Sequence, residues 1–178
     1  MACISKLVGG FDYDCDSGTT GLTSALIVNK EDIGAIGFVS GTIEITSLTL
    51  KAGAKAYKID TPKRTLVVTE TLKVNEGAPN AFTHSATLTA TGLQIPDFFA
   101  KIGSITNGSF VIITLNLTRG ARIYGLYYGM SATSVERSSH DNGGRYSITM
   151  ETPEQFIGED ALILATNVYD SMYAAALG

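Results

Sequence analysis

The sequence has no tryptophan, only two cysteines and two histidines, and a charged share of 17%. An average soluble chain carries about 25% charged residues. Each scarcity narrows the choice of function. Without tryptophan, a sugar-binding surface would have to rely on tyrosine. Two cysteines in 178 residues do not make a disulfide scaffold. Cys3 and Cys15 read as free thiols of a reducing cytoplasm, with a single disulfide staple as the other reading. No apolar run approaches the roughly 20 residues of a membrane-spanning helix. The start, Met1 to Val8, lacks a basic stretch followed by an apolar one, so no signal peptide is expected.

Cationic clustering is also missing. The net charge is -4, and Lys63-Arg64 is the only adjacent basic pair. Tight binding to DNA or RNA needs a basic face, so such binding is not expected. Apolar residues reach 44%. This length and composition support one folded domain with a sizeable core. The low charge suggests a surface that meets another protein, although Thr and Ser fill much of the gap.

Strand signals dominate what is present. Thr42 to Leu50 is rich in β-branched residues. Arg64 to Val74 alternates, with Leu66, Val68, Leu72 and Val74 on one face and Glu70 as the exception among them. Phe82 to Thr91 alternates throughout, with Phe82, His84, Ala86, Leu88 and Ala90 opposite a row of Thr and Ser. Period-two alternation marks a strand with one covered face. The turn formers of 75–80 between them predict a long β-hairpin. Ser24 to Ile33 reads as a strand or connector. Ile95 to Ile102 reads as a short helix with Pro96 in its first turn, ending before a turn at Asn107-Gly108. Ser109 to Thr118 reads as a central strand, because its first residues are apolar on both faces. Strands are also expected at Arg122 to Met130, around Ser134 to Glu136, at Arg145 to Glu151 and at Ala161 to Ala165. His140 to Gly144 is a turn signal.

The expected fold is therefore mainly β: an antiparallel β-sandwich or barrel with one short packed helix and a long β-hairpin. Residues 1–178 form a single domain in this reading, with 1–20 as an N-terminal arm or loop and 167–178 as a C-terminal helix or tail.

The sequence singles out no catalytic, cofactor-binding or metal-ligating residue, and no enzyme is expected. Asp12, Asp14 and Asp16 have the opening spacing of a calcium loop. However, Ser17 stands where the loop glycine belongs and Thr23 stands at the twelfth position, so a solvated acidic loop is expected. His84, on an apolar face, is expected to be a half-buried, hydrogen-bonded histidine, and His140 to be exposed. Glu151, Glu154, Glu159 and Asp160 are expected in a solvated loop, although an acid/base pair among them is the chemical alternative. Gly125 and Gly129 are expected to mark bulges or close backbone contacts.

One longer pattern carries a resemblance. It runs from Thr69-Glu70-Thr71-Leu72 through His84 to Leu88, a short helix, Gly108 to Ile113, Arg122 to Gly129 and Asp141 to Glu151. This layout resembles small phage-tail and virion structural proteins, especially those of phages that infect Bacteroidetes. It covers about half of the chain and names no functional residue. The resemblance implies a tail tube subunit that self-associates into stacked rings or tubes and meets other virion proteins. DNA would pass its channel without specific binding, and no membrane would be involved. The protein would be made in a bacterial cytoplasm and end in the virion. The hydroxyl face of the 64–91 hairpin (Thr65, Thr69, Thr71, Thr83, Ser85, Thr87, Thr89 and Thr91) would line the lumen, because a face with few cations does not hold phosphates. The plain alternative is that Thr favours exposed strands, and Lys73 argues against the lumen reading. Residues 1–20 and Tyr169 to Gly178 would be arms that dock on neighbours, with packing of the C-terminal tail on its own core as the equal alternative. The other readings are a head–tail connector, a capsid decoration protein, or a carbohydrate-binding or adhesion β-sandwich that uses Tyr124, Tyr127 and Tyr128.

Overall fold

A computed structural model of the chain describes residues 22–59, 66–90, 98–116, 120–137, 145–160 and 162–177. Cys3, Cys15, the Asp12–Asp16 run, Thr65, Thr91, Pro96 and the His140–Gly144 turn lie outside the described residues, as does the arm expected over residues 1–20.

The described chain is mainly β, with two sheets and two helices. The strands are β1 (Leu22–Asn29), β2 (Ile33–Phe38), β3 (Glu44–Leu50), β4 (Tyr57–Lys58), β5 (Val67–Lys73) and β6 (Ala81–Ala90). After helix α1 (Phe98–Asn107) come β7 (Phe110–Asn116), β8 (Ala121–Tyr124), β9 (Ser131–Arg137), β10 (Tyr146–Glu151) and β11 (Leu162–Leu164). Helix α2 (Thr166–Leu177) follows. One sheet has seven strands in the order β2-β3-β11-β8-β7-β1-β4, and the other has four in the order β5-β6-β10-β9. All pairings are antiparallel except β11 with β3.

β7 explains the layering. Phe110 to Thr114 are all buried, as expected of a strand covered on both faces. Its side chains divide between two cores. Val111 and Ile113 join Leu26, Val28, Ile45, Ile123, Leu162, Leu164, Tyr169 and Met172 beneath α2. Phe110 and Ile112 join Ala86, Leu88, Tyr124, Met130, Ile148 and Met150 between the two sheets, where Ile102 and Ile105 of α1 also pack. The molecule is thus layered as four-stranded sheet, seven-stranded sheet and α2. Tyr169 anchors the helix: its ring is 1% exposed and its hydroxyl lies 2.7 Å from Ser24 Oγ.

The long hairpin forms as its alternation predicts. β5 pairs with β6 from Val67↔Thr87 to Lys73↔Ala81. His84, Ala86 and Leu88 are buried. The β5 partner face departs from expectation at its far end. Leu66 and Val68 reach the inter-sheet core, but Leu72 and Val74 are exposed. The apolar cover stops at Val68, and the next inward residue, Glu70, meets Arg122 instead.

Four further differences are local. The strand expected over Arg122 to Met130 ends at Tyr124. Gly125 takes a left-handed φ of 72°, which breaks the extended run, and Gly129 N–H returns to the Gly125 carbonyl at 2.9 Å. α1 continues through Asn107 rather than stopping at Ile102. The 24–33 segment resolves into β1 followed by one 3-10 turn, Lys30–Asp32. β2, which the sequence pattern does not single out, pairs with β3 at one edge of the large sheet with irregular register.

Candidate functional site

Two features stand out: the outward face of the four-stranded sheet, and a buried polar cluster behind it.

On the four-stranded sheet, Ala86, Leu88, Ile148 and Met150 point into the core, so the alternate positions point outward. Register places Thr87 between Val67 and Thr149, and Ser85 between Thr69 and Glu151. Thr71 lies opposite Thr83, Thr89 opposite Ser147, and Ser134 beside Thr149. The result is a hydroxyl-rich face. Thr87 and Thr149 hydroxyls lie 3.3 Å apart, and Ser85 Oγ donates to Glu151 Oε1 at 3.3 Å. Thr69 and Thr71 are exposed, whereas Thr89 is buried and so drops out of the open face. Among the described strand positions that point outward, the one cation is Lys73. Its Nζ is turned to the carbonyls of Glu154 and Phe156, at 2.6 and 2.5 Å. Glu151 and Glu136 place carboxylates on the same face.

The buried cluster begins at His84, which is 1% exposed. Its Nδ1 accepts the Gly125 N–H at 3.0 Å, and its ring meets Tyr124 edge-on at 5.3 Å. Because Nδ1 accepts, the neutral ring carries its proton on Nε2. Burial lowers the imidazole pKa from 6.5 to about 4, since desolvation penalises the cation. The expectation of a half-buried, hydrogen-bonded histidine therefore holds for the hydrogen bond and understates the burial.

Glu159 departs further from its expected place in a solvated loop: it is 0% exposed. Its carboxylate accepts the backbone N–H groups of Tyr127 and Tyr128, at 2.8 and 2.6 Å. The turn opened by Gly125 and closed by Gly129 aims these two N–H groups at one carboxylate, one to each oxygen, a geometry that suits an anion. Burial raises the Glu159 pKa; the two N–H bonds and Lys30 oppose that rise, and Asp160 adds to it. Glu151 and Glu154 remain exposed. No spacing pattern announces the role of Glu159, because its donors are main-chain groups 31 and 32 residues earlier in the chain.

Glu70, the exception on its apolar face, is explained by Arg122 Nη1 at 3.3 Å across the sheets. Arg122 is 40% exposed, so the pair is worth little beyond relieving that carboxylate. Of the three tyrosines considered for a sugar site, Tyr124 is buried, Tyr127 is exposed, and Tyr128 stacks on Phe156 at 4.5 Å. Among the described residues no three His, Cys, Asp or Glu side chains gather where they would hold a metal ion. No described helix is long and apolar enough to cross a membrane.

Gly125 is the keystone of this arrangement. A Cβ there would lie 2.5 Å from Met130 Cγ and 3.2 Å from the Gly129 carbonyl carbon, at a positive φ. Gly125→Ala is expected to cost more than about 1 kcal/mol, because the strained backbone and the contact add. A fall in thermal midpoint of several degrees would register it; an unchanged midpoint would show that the turn relaxes freely.

Comparison of the chain with protein-family models, with curated proteins and with solved structures returned no match.

Proposed function

We propose that this chain is a structural subunit of a bacteriophage virion, a tail tube protein that forms stacked rings around a DNA channel, and not an enzyme. The observation that carries the proposal is the outward face of β5, β6 and β10. It is broad and lined with hydroxyls and carboxylates, and the one cation within these strands, Lys73, is occupied by backbone carbonyls. Such a face gives DNA phosphates nothing to release counterions against, so DNA slides past it. Among the described residues β5 and β9 are the two outer strands of this sheet. Outer strands carry unpaired backbone groups that favour pairing with a neighbour. Pairing β5 of one copy with β9 of the next would extend the sheet around a closed ring.

The experiment is the assembly state of the purified protein, by light scattering after size exclusion and negative-stain microscopy of the same fractions. Hollow tubes or rings are expected. Thr69→Arg with Thr71→Arg, both at exposed positions, should leave tubes intact yet make them retain short duplex DNA at low salt. A monomer at every concentration would sink the reading. Rings that never stack would favour a head–tail connector, and binding only to preformed shells a decoration protein.

Tyr127, exposed beside the Tyr128–Phe156 stack, favours a second reading as a carbohydrate-binding or adhesion module. A monomer that binds polysaccharide, and loses that binding in Tyr127→Ala, would select it.

A further inference from the structure

We propose that residues 152–160 form a strap whose two buried anchors are coupled through His84, and that protonation of the His84 imidazole opens the strap while the rest of the fold stays closed. The inference is independent of the tube reading.

The strap is held mainly by polar contacts, with one ring contact, Phe156 stacked on Tyr128 at 4.5 Å. At its start, the backbone N–H of His84 donates to Thr152 Oγ1 and Thr152 N–H donates to the His84 carbonyl, both at 3.0 Å. In the middle, Lys73 Nζ and Asn75 Nδ2 reach its carbonyls from the hairpin, but all of these are exposed bonds. Its end is fixed by the Phe82–Glu159 backbone pair, with two bonds of 2.8 Å, and by the Glu159 carboxylate in the Gly125–Gly129 turn. Only Thr152 and Glu159 are buried between 152 and 160, and Phe156 and Ile157 are exposed. Little apolar burial therefore opposes release.

His84 touches one anchor and the turn that holds the other. Its backbone pairs with Thr152, and its Nδ1 accepts from Gly125, the first residue of the turn that holds Glu159. A proton on Nδ1 would set one N–H against another. The turn must then move, and the Tyr127 and Tyr128 donors move with it. The groups around His84 are Glu70 opposite it on β5, Arg122 paired to Glu70 from β8, and Tyr124 edge-on. Glu159 in turn faces Lys30, Asp160 and Tyr127. Among the described residues no carboxylate is hydrogen-bonded to the imidazole: Glu70 opposite it is turned to Arg122 through Oε2, and Glu70 Oε1 and His84 Nε2 are both buried without a hydrogen-bond partner.

The sign of the effect follows from linkage. The His84 pKa is depressed in the closed form, so closure is favoured above 6.5 and weakens as pH falls towards 4. Glu159 works the other way: its raised pKa means that protonating it relieves a cost.

The test is native-state hydrogen exchange at pH 7 and about 4.5. Protection factors at the Phe82, Thr152 and Glu159 amides are expected to fall on the order of fifty-fold, the ratio that a shift from 6.5 to about 4 implies. Protection at Val111 in β7 should persist. In His84→Asn, Oδ1 stands in for Nδ1 as acceptor but does not titrate, so the fall should vanish. The proposal is overturned if the three amides keep their protection, lose it together with Val111, or respond equally in His84→Asn.

Discussion

Acidifying the protein from pH 7 to below 4 is expected to cost the native state up to about 3 kcal/mol through His84 alone. That is the value of a pKa lowered from 6.5 to about 4, at 1.36 kcal/mol per unit. The folded pKa of this base lies below its unfolded value. Its contribution is therefore fully present above 6.5 and is lost as pH falls to about 4. Glu159 partly offsets the loss, because its folded pKa is raised and its contribution is largest in acid. Urea unfolding of the wild type and of His84→Asn at the two ends of this range measures the difference. The variant should show a clearly smaller drop between pH 7 and pH 4. Equal drops would mean that surface carboxylates, not the imidazole, govern acid stability.

A second large effect is expected in the core. Ile113 of β7 is 0% exposed and packs in the cluster beneath α2. Ile113→Ala should destabilise the fold by about 2–5 kcal/mol, the transfer free energy of the lost carbons plus the cavity they leave. That is a large part of a typical domain's stability. Loss of order should be felt first in α2, whose Tyr169 and Met172 share this cluster, and less in the four-stranded sheet, whose core is formed by other residues. Denaturant midpoint and the near-ultraviolet signal of Tyr169 and Tyr173 read both parts. A loss below about 1 kcal/mol would show that the cluster collapses onto the vacancy, and that the two cores are not packed as separate layers.

The local elements are largely legible in the residue pattern, for identifiable reasons. In β6 and β10 the alternation of side chains is itself the signal of a covered face, and Ala86, Leu88, Ile148 and Met150 are buried in keeping with it. β7 announces its central place by being apolar on both faces. The stretch from Asn167 is compatible with a helix or a tail, and α2 is that helix. Where a residue's role depends on a distant main-chain group, the pattern is silent. Glu159 resembles any of four acidic loop residues, because its partners are the N–H groups of a turn that no side-chain pattern encodes. The strand expected over Arg122 to Met130 looks uniform because a single glycine, Gly125, decides where extension ends.

Residue order alone therefore specifies a β-rich protein with a long hairpin, a doubly covered strand and a hydroxyl-bearing strand face. These properties follow from period-two alternation and β-branching, which act over a few residues. The packed fold was needed to establish which strands share a sheet, that β11 runs parallel to β3, that Arg122 meets Glu70, and that His84 and Glu159 are buried. The physical reason is the same in each case. Burial and pairing energies are set by what packs across the layer, and here the partners lie tens of residues away along the chain.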